Sequence, residues 1–194
     1  MTCEMLHITD VAADAMSIYR AITTTDGIQS FWTADAEVGS SVGSRARFGF
    51  PEAPVDLKMQ IETLEPGTEV RWRCLGDFPY WAGTANEWRL SPSPDATGTR
   101  ITFRHADWPE DYPDVEFGLV NWVWGQVVGR LKLYVETGRP DPVYGGRRHR
   151  GGIGYCSLGL AEPTPHCGRL RPQARQSIAG FTSSVSLSGL ASAR

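Results

Sequence analysis

The sequence predicts an α+β fold in which an antiparallel sheet is covered by one long C-terminal helix, and three observations predict it. First, consecutive segments between Glu69 and His105 alternate in character: Val70, Trp72 and Cys74, then Trp88 and Leu90, then Ile101 and Phe103, with Arg71, Arg73, Glu87, Arg89, Arg100, Thr102 and Arg104 interleaved. A period of two gives a sheet one buried face and one wet face. Second, the period lengthens from Val115 to Glu136, where Phe117, Val120, Trp124, Val127, Val128, Leu131 and Val135 recur at three- and four-residue steps. That spacing is one stripe of an amphipathic helix. Third, turn signals at Glu65-Pro66-Gly67-Thr68 and between Pro92 and Gly98 join neighbouring strands by hairpin-sized gaps, which implies antiparallel pairing.

The other elements follow in chain order. A short strand over Cys3 to Ile8 opens the chain, and Asp10 is the expected N-cap of a helix running from Val11 to Ile22 with Val11, Ala15, Ile18, Tyr19 and Ile22 in helical phase. Thr25 or Asp26 is expected to cap a second short helix through Trp32. Ala46, Phe48 and Phe50 then alternate with Arg45 and Arg47, and Val55, Leu57, Met59 and Ile61 alternate with Asp56, Lys58, Gln60 and Glu62, giving two strands ahead of Glu69–Leu75, Ala85–Leu90 and Arg100–His105. The expected order is a strand, two helices, about five or six antiparallel strands and the long helix.

With 194 residues, 41% of them apolar and 10% aromatic, the chain can bury one full core. Charge divides it. Residues 1–145 hold 12 Lys and Arg against 21 Asp and Glu, a net of −9, whereas residues 146–194 hold 7 Arg against Glu162 alone, a net of +6; together they give −3. All seven Trp lie in the first part. The expectation is one domain over 1–145 followed by an Arg-, Gly-, Ser- and Pro-rich tail over 146–194 that is disordered or loosely packed. A shifted reading frame after Gly145 would produce the same change of composition.

No apolar run approaches the roughly 20 residues that cross a bilayer, so a soluble, cytoplasmic protein without a membrane role is expected. Cys3, Cys74, Cys156 and Cys167 form no Cys-x-x-Cys pair, which argues against a disulfide framework or structural zinc. No metal and no cofactor is expected.

Several segments carry a family resemblance: Ile28-Gln-Ser-Phe-Trp-Thr33 in the second helix, Val42-Gly-Ser-Arg-Ala-Arg-Phe48 entering the sheet, Gly98-Thr-Arg-Ile-Thr-Phe103 followed by His105, and Gly125 to Gly138 ending in Leu-Tyr-Val-Glu-Thr-Gly. In their order and spacing, over nearly all of residues 3–140, the chain resembles the SRPBCC or START-like superfamily. Within it the chain is similar to the AHSA1-like branch, related to the C-terminal domain of the activator of Hsp90 ATPase, and to polyketide cyclase-like proteins. The resemblance implies a helix-grip fold, a curved antiparallel sheet wrapped around the C-terminal helix, with an apolar cavity between them that receives a hydrophobic ligand.

Residue phase supplies candidates for that lining. Phe48, Phe50, Met59, Trp72, Trp88 and Phe103 alternate onto the inner sheet face, and Phe117 and Trp124 lie on the buried stripe of the helix together with Val120 and Leu131. Each is also what an ordinary core uses. Asn86 shares the side of Trp88, His105 follows Phe103 by two, and Asn121 borders the helical stripe, so these three are candidate polar contacts. His105, before Asp107 near a strand end, is expected either to meet a ligand or to be exposed.

Catalytic signals are sparse, and whether the chain is an enzyme stays open. No nucleophile sits beside a base, and His7 and His105 are joined by no further ligand at metal spacing. Glu110, Asp111, Asp114 and Glu116 read as a solvated acidic loop at the positive end of the last helix. The favoured function is binding of a small hydrophobic molecule. The alternatives are a co-chaperone-like interaction module with a chaperone partner, for which a surface patch would be needed, and a polyketide cyclase/dehydratase-like enzyme. A homodimer is left open. Arg147, Arg148, Arg150, Arg169, Arg171 and Arg175 are too dispersed, beside an acidic body, to argue for nucleic acid.

Overall fold

Seven antiparallel strands make one sheet among the described residues: β1 (Met5–Val11), β2 (Asp35–Val38), β3 (Arg45–Gly49), β4 (Leu57–Glu65), β5 (Glu69–Cys74), β6 (Ala85–Pro92) and β7 (Thr99–Ala106), in the order β1-β7-β6-β5-β4-β3-β2. Helices α1 (Ala15–Thr23) and α2 (Thr25–Phe31) follow β1, and α3 (Asp114–Thr137) closes the domain. The computed structural model describes residues 4–51, 53–76, 78 and 80–145. The expected tail and its boundary lie outside the described residues.

The alternation read in the sequence is the alternation of burial. Val70, Trp72 and Cys74 of β5, Trp88 of β6, and Ile101 and Phe103 of β7 are buried toward the helices. Their neighbours point out and pair by charge. Arg71 reaches Glu62 at 3.0 Å and Glu87 at 3.1 Å, Arg73 reaches Glu62 at 2.5 Å and Asp107 at 3.2 Å, and Arg47 reaches Asp35 at 2.7 Å. Arg100 with Asp10 and Arg104 with Glu4 continue the pattern to the β1 edge. Glu62 sits where the β4–β5 register slips between Ile61 and Thr63; the extra residue bends the strand and aims this carboxylate at two arginines.

The N-terminal boundaries differ from expectation. Asp10 does not cap a helix: β1 continues to Val11 because Asp10 stands opposite Arg100 in the β7 register and accepts two bonds from its guanidinium, at 2.7 and 2.8 Å. Asp14 caps α1 instead, its carboxylate accepting from Ser17 N at 2.9 Å, and Thr24 caps α2 by accepting from Gly27 N at 3.1 Å. Strand β2 was not expected, since its four residues Asp-Ala-Glu-Val bury only Ala36. Val55 precedes β4 and Phe50 follows β3 rather than lying within them.

Helix α3 buries Val120, Trp124, Val127, Val128 and Leu131, five residues of the expected stripe, while Phe117 and Val135 are half-buried. Gly138, with φ at 69°, ends it in the left-handed conformation that glycine takes without strain, and its N–H returns to Tyr134 O at 2.7 Å. No helix among the described residues is long and apolar enough to cross a membrane.

Candidate functional site

The space between α3 and the sheet is occupied by aromatic rings. Trp124 descends from α3 and meets Phe103 of β7 at 4.4 Å between ring centroids, Trp32 beyond α2 at 4.9 Å and Trp88 of β6 at 6.3 Å. Trp32 in turn lies 4.5 Å from Phe48 and stacks on Trp72 at 6.5 Å. All six of these residues are at most 2% exposed. Ring contacts of this kind add about 0.5–1.5 kcal/mol each beyond the area they bury.

Eight of the eleven expected site residues converge here: Phe48, Met59, Trp72, Asn86, Trp88, Phe103, His105 and Trp124 are all buried. Two stand at the margins. Phe50 is half-buried against Trp32, Phe78 and Tyr144, and lines a surface cleft of about 270 Å³ with Thr33, Ala34, Asp35, Gly49, Pro51 and Gly145. Phe117 packs on Trp108 and Tyr112 at the opposite end. Asn121 is exposed and does not face the interior; its Oδ1 lies 2.9 Å from His7 Nε2, because this side of α3 rests against the edge strand β1.

His105 is fully buried, so the exposed alternative does not hold. Its tautomer follows from its partners. Trp124 Nε1 can only donate, and it points at His105 Nδ1 over 3.0 Å, so Nδ1 carries no proton. The proton is therefore on Nε2, which donates to Thr84 Oγ1 at 2.9 Å, and the Thr84 hydroxyl in turn donates to Trp81 O at 2.8 Å. An imidazolium would set N–H against N–H. Burial acts in the same direction, holding the His105 pKa well below the usual histidine value.

Among the described residues, three buried side-chain polar atoms have no hydrogen-bond partner: Trp72 Nε1, Trp88 Nε1 and Asn86 Oδ1. They are neighbours by register, since Trp72 stands opposite Asn86 across β5 and β6, and Asn86 lies two residues from Trp88 on the same face. Among the described residues, the Asn86 amide nitrogen reaches Met59 Sδ at 3.9 Å. Two donors and one acceptor thus sit among rings, where an unpaired group costs about 1–3 kcal/mol.

The sequence reading missed Trp32, Trp81 and Trp108, which complete the aromatic shell: Trp81 meets His105 at 4.7 Å, and Trp108 donates its indole N–H to His105 O at 3.1 Å. A signal existed for Trp32, which follows Ile28 and Phe31 in helical phase. Trp81 and Trp108 stand in loops with no period to place them.

Comparison with known proteins agrees with this architecture. A family model described as activator of Hsp90 ATPase homolog 1-like protein matches residues 12–136. The dimeric Aha1 of Colwellia psychrerythraea, solved in solution, is 29% identical over 70% of this chain and 98% of that one, with a TM-score of 0.62. Protein MLL2253 of Mesorhizobium loti (17% identical, 68% of this chain, 95% of that one, TM-score 0.58) shares the fold. So does DynU16, from the dynemicin biosynthetic locus (24% identical, 71% of this chain, 48% of that one, TM-score 0.58). No curated protein sequence matches the chain. A helix-grip sheet closed by α3, together with a family match over most of the described residues, makes the chain a member of the activator of Hsp90 ATPase homolog 1-like family of SRPBCC proteins.

Proposed function

We propose that this protein binds a small hydrophobic molecule bearing a hydroxyl or similar oxygen, held between α3 and the inner face of the sheet. The observation that carries the reading is the group of unpaired buried atoms, Trp72 Nε1, Trp88 Nε1 and Asn86 Oδ1. A ligand hydroxyl accepts from an indole N–H and donates to the Asn86 oxygen, removing penalties that the protein alone leaves in place. The surrounding rings supply the apolar contact. Because they touch one another, entry of a ligand requires α3 and the sheet to part. The cleft of about 270 Å³ beside Phe50 adjoins the ring cluster through Trp32 and is close to the lower end of small-ligand pockets, about 300 Å³.

Binding rather than proton transfer is favoured, because both ring nitrogens of His105 are engaged by protein groups. The test is a thermal-shift titration with naphthol and with naphthalene. Naphthol should raise the melting temperature more than naphthalene in the wild type, and Asn86→Leu should erase the difference. No rise with either compound would contradict the reading.

A second reading, self-association, is favoured by the dimeric state of the Colwellia psychrerythraea relative. It is compatible with the first, as is a role beside a chaperone, which a measured complex with an ATPase chaperone would support.

A further inference from the structure

One end of the sheet, where β5 and β7 stop and β6 begins, is closed by side chains from loops. A row of rings crosses it from Phe50 through Phe78, Trp81 and Trp108 to Phe117, with centroid separations of 6.0, 5.4, 5.5 and 5.7 Å. The unpaired atoms lie just beneath. Trp72, Asn86 and His105 stand side by side across β5, β6 and β7, and the next pair, Ala85 with Ala106, closes the β6–β7 ladder at this end. Trp108 and Trp81 cover the His105 ring at 4.3 and 4.7 Å, so these two indoles separate the row from solvent.

Both covering tryptophans are set by a backbone conformation that most side chains avoid. Among the described residues three other than glycine have positive φ, and two of them, Tyr80 at 63° and Asp107 at 65°, directly precede Trp81 and Trp108. Strict alternation after His105 would send residue 107 inward. Instead the turn places the Asp107 carboxylate on the outer face, 3.2 Å from Arg73 Nη1, and folds Trp108 inward to donate its indole N–H to His105 O at 3.1 Å. Arg73 Nη1 also donates to Gly83 O at 2.7 Å, tying this connection to the chain ahead of β6. Beyond it the first turns of α3 are weakly anchored: the helix starts after Pro113 without a side-chain cap, and none of its residues before Val120 is buried. Its other half is pinned by Lys132, which donates to Asp10 O at 2.7 Å, and by Glu136, which accepts from Ala12 N at 2.9 Å.

We infer that the connection between β7 and α3, residues 107–113, is a lid over the ligand site, with Asp107 as its hinge and latch and Trp108 as its plug. This inference rests on the ligand-binding reading above and identifies which part of the contact between α3 and the sheet opens. The latch is an ion pair whose side chains are 33% and 48% exposed, a class of pair that holds weakly in water, so it releases without unfolding the domain. Once released, the backbone at Asp107 leaves the left-handed region and lifts Trp108 off His105. That motion uncovers the His105, Asn86 and Trp72 row while the β6–β7 ladder and the pinned half of α3 stay in place. Closure restores the bond from the Trp108 indole to His105 O and excludes water from a bound ligand oxygen.

The test mixes the full chain with naphthol by stopped flow and follows tryptophan fluorescence, which bound naphthol quenches by energy transfer. With naphthol in excess the observed rate should level off at the rate of lid opening. Asp107→Asn tolerates the left-handed conformation as aspartate does but lacks the charge, and it should raise that plateau at least threefold with every ring in place. Trp108→Ala should raise it at least tenfold, and Phe50→Ala, at the far end of the ring row, should leave it unchanged. A plateau that either Asp107→Asn or Trp108→Ala fails to raise, or the absence of a plateau, overturns the lid and leaves the binding reading standing. A plateau raised by Phe50→Ala alone also overturns it, placing entry at the cleft beside that ring. No quenching at any naphthol concentration overturns both.

Discussion

The indole N–H of Trp124 donates to Nδ1 of His105 across 3.0 Å, joining the long helix to the last strand inside the aromatic core. This bond requires a neutral imidazole, and that requirement has a pH signature. Unfolded, the histidine takes up a proton below about pH 6.5; folded, burial holds its pKa well below that value. The unfolded state therefore binds more protons as pH falls. The stabilising effect is fully present above the unfolded pKa and is lost as pH drops below it, by up to about 1.4 kcal/mol per pH unit. Denaturant unfolding of wild type and His105→Gln between pH 7.5 and pH 5 should show the stability gap narrowing with acid. A gap that stays constant would mean that His105 is not held neutral.

Trp124→Ala removes the ring on which Trp32, Phe103 and Trp88 converge and should cost about 3–5 kcal/mol, read from chemical denaturation. Trp124→Phe keeps most of the packing but strands the His105 nitrogen, and should cost about 1–3 kcal/mol. Near-neutral effects from both would place Trp124 outside the core.

Gly27→Ala sets helix propensity against packing. An alanine inside an exposed helix would be worth about 1 kcal/mol over glycine. At Gly27, however, the new Cβ would stand 2.3 Å from the carbonyl oxygen of Ala21 and 2.6 Å from its Cα, backbone atoms that cannot step aside. The clash should win and the melting temperature should fall; a rise would mean that α1 and α2 are not in contact at this point.

On the outer face, Glu87 is 5% exposed and sits between Arg71 at 3.1 Å and Arg89 at 2.5 Å. Glu87→Ala should lower stability by about 1–3 kcal/mol, because it withdraws a largely desolvated partner from two cations. Glu37→Ala, at a side chain 76% exposed and 3.3 Å from Arg47, should leave stability unchanged. Equal effects at the two sites would show that burial does not govern these pairs.

Much of the fold was legible because burial imposes a period. β4 to β7 and α3 each commit one face to the core, so Trp72, Trp88, Phe103 and Trp124 were placed from spacing alone. Where few apolar residues are at stake the signal fades: β2 buries only Ala36, and the β1–α1 boundary turned on whether Asp10 or Asp14 is the capping residue, which depends on the distant Arg100. Asn121 was misplaced because helical phase gives an angle and not the position of the sheet edge beneath it. His105 was found as a candidate, but its closed bond network with Thr84 and Trp124 joins β7, α3 and the loop ahead of β6 and has no local trace in the sequence.

The central claim, that unpaired polar atoms between α3 and the sheet await a ligand oxygen, is tested most directly by the indole N–H signals of Trp72 and Trp88 in proton–nitrogen correlation spectra. Assigned by Trp72→Phe and Trp88→Phe, one or both should move downfield on addition of naphthol, as a new hydrogen bond forms, while naphthalene leaves them in place. Signals of both residues that stay fixed at saturating naphthol would contradict the account.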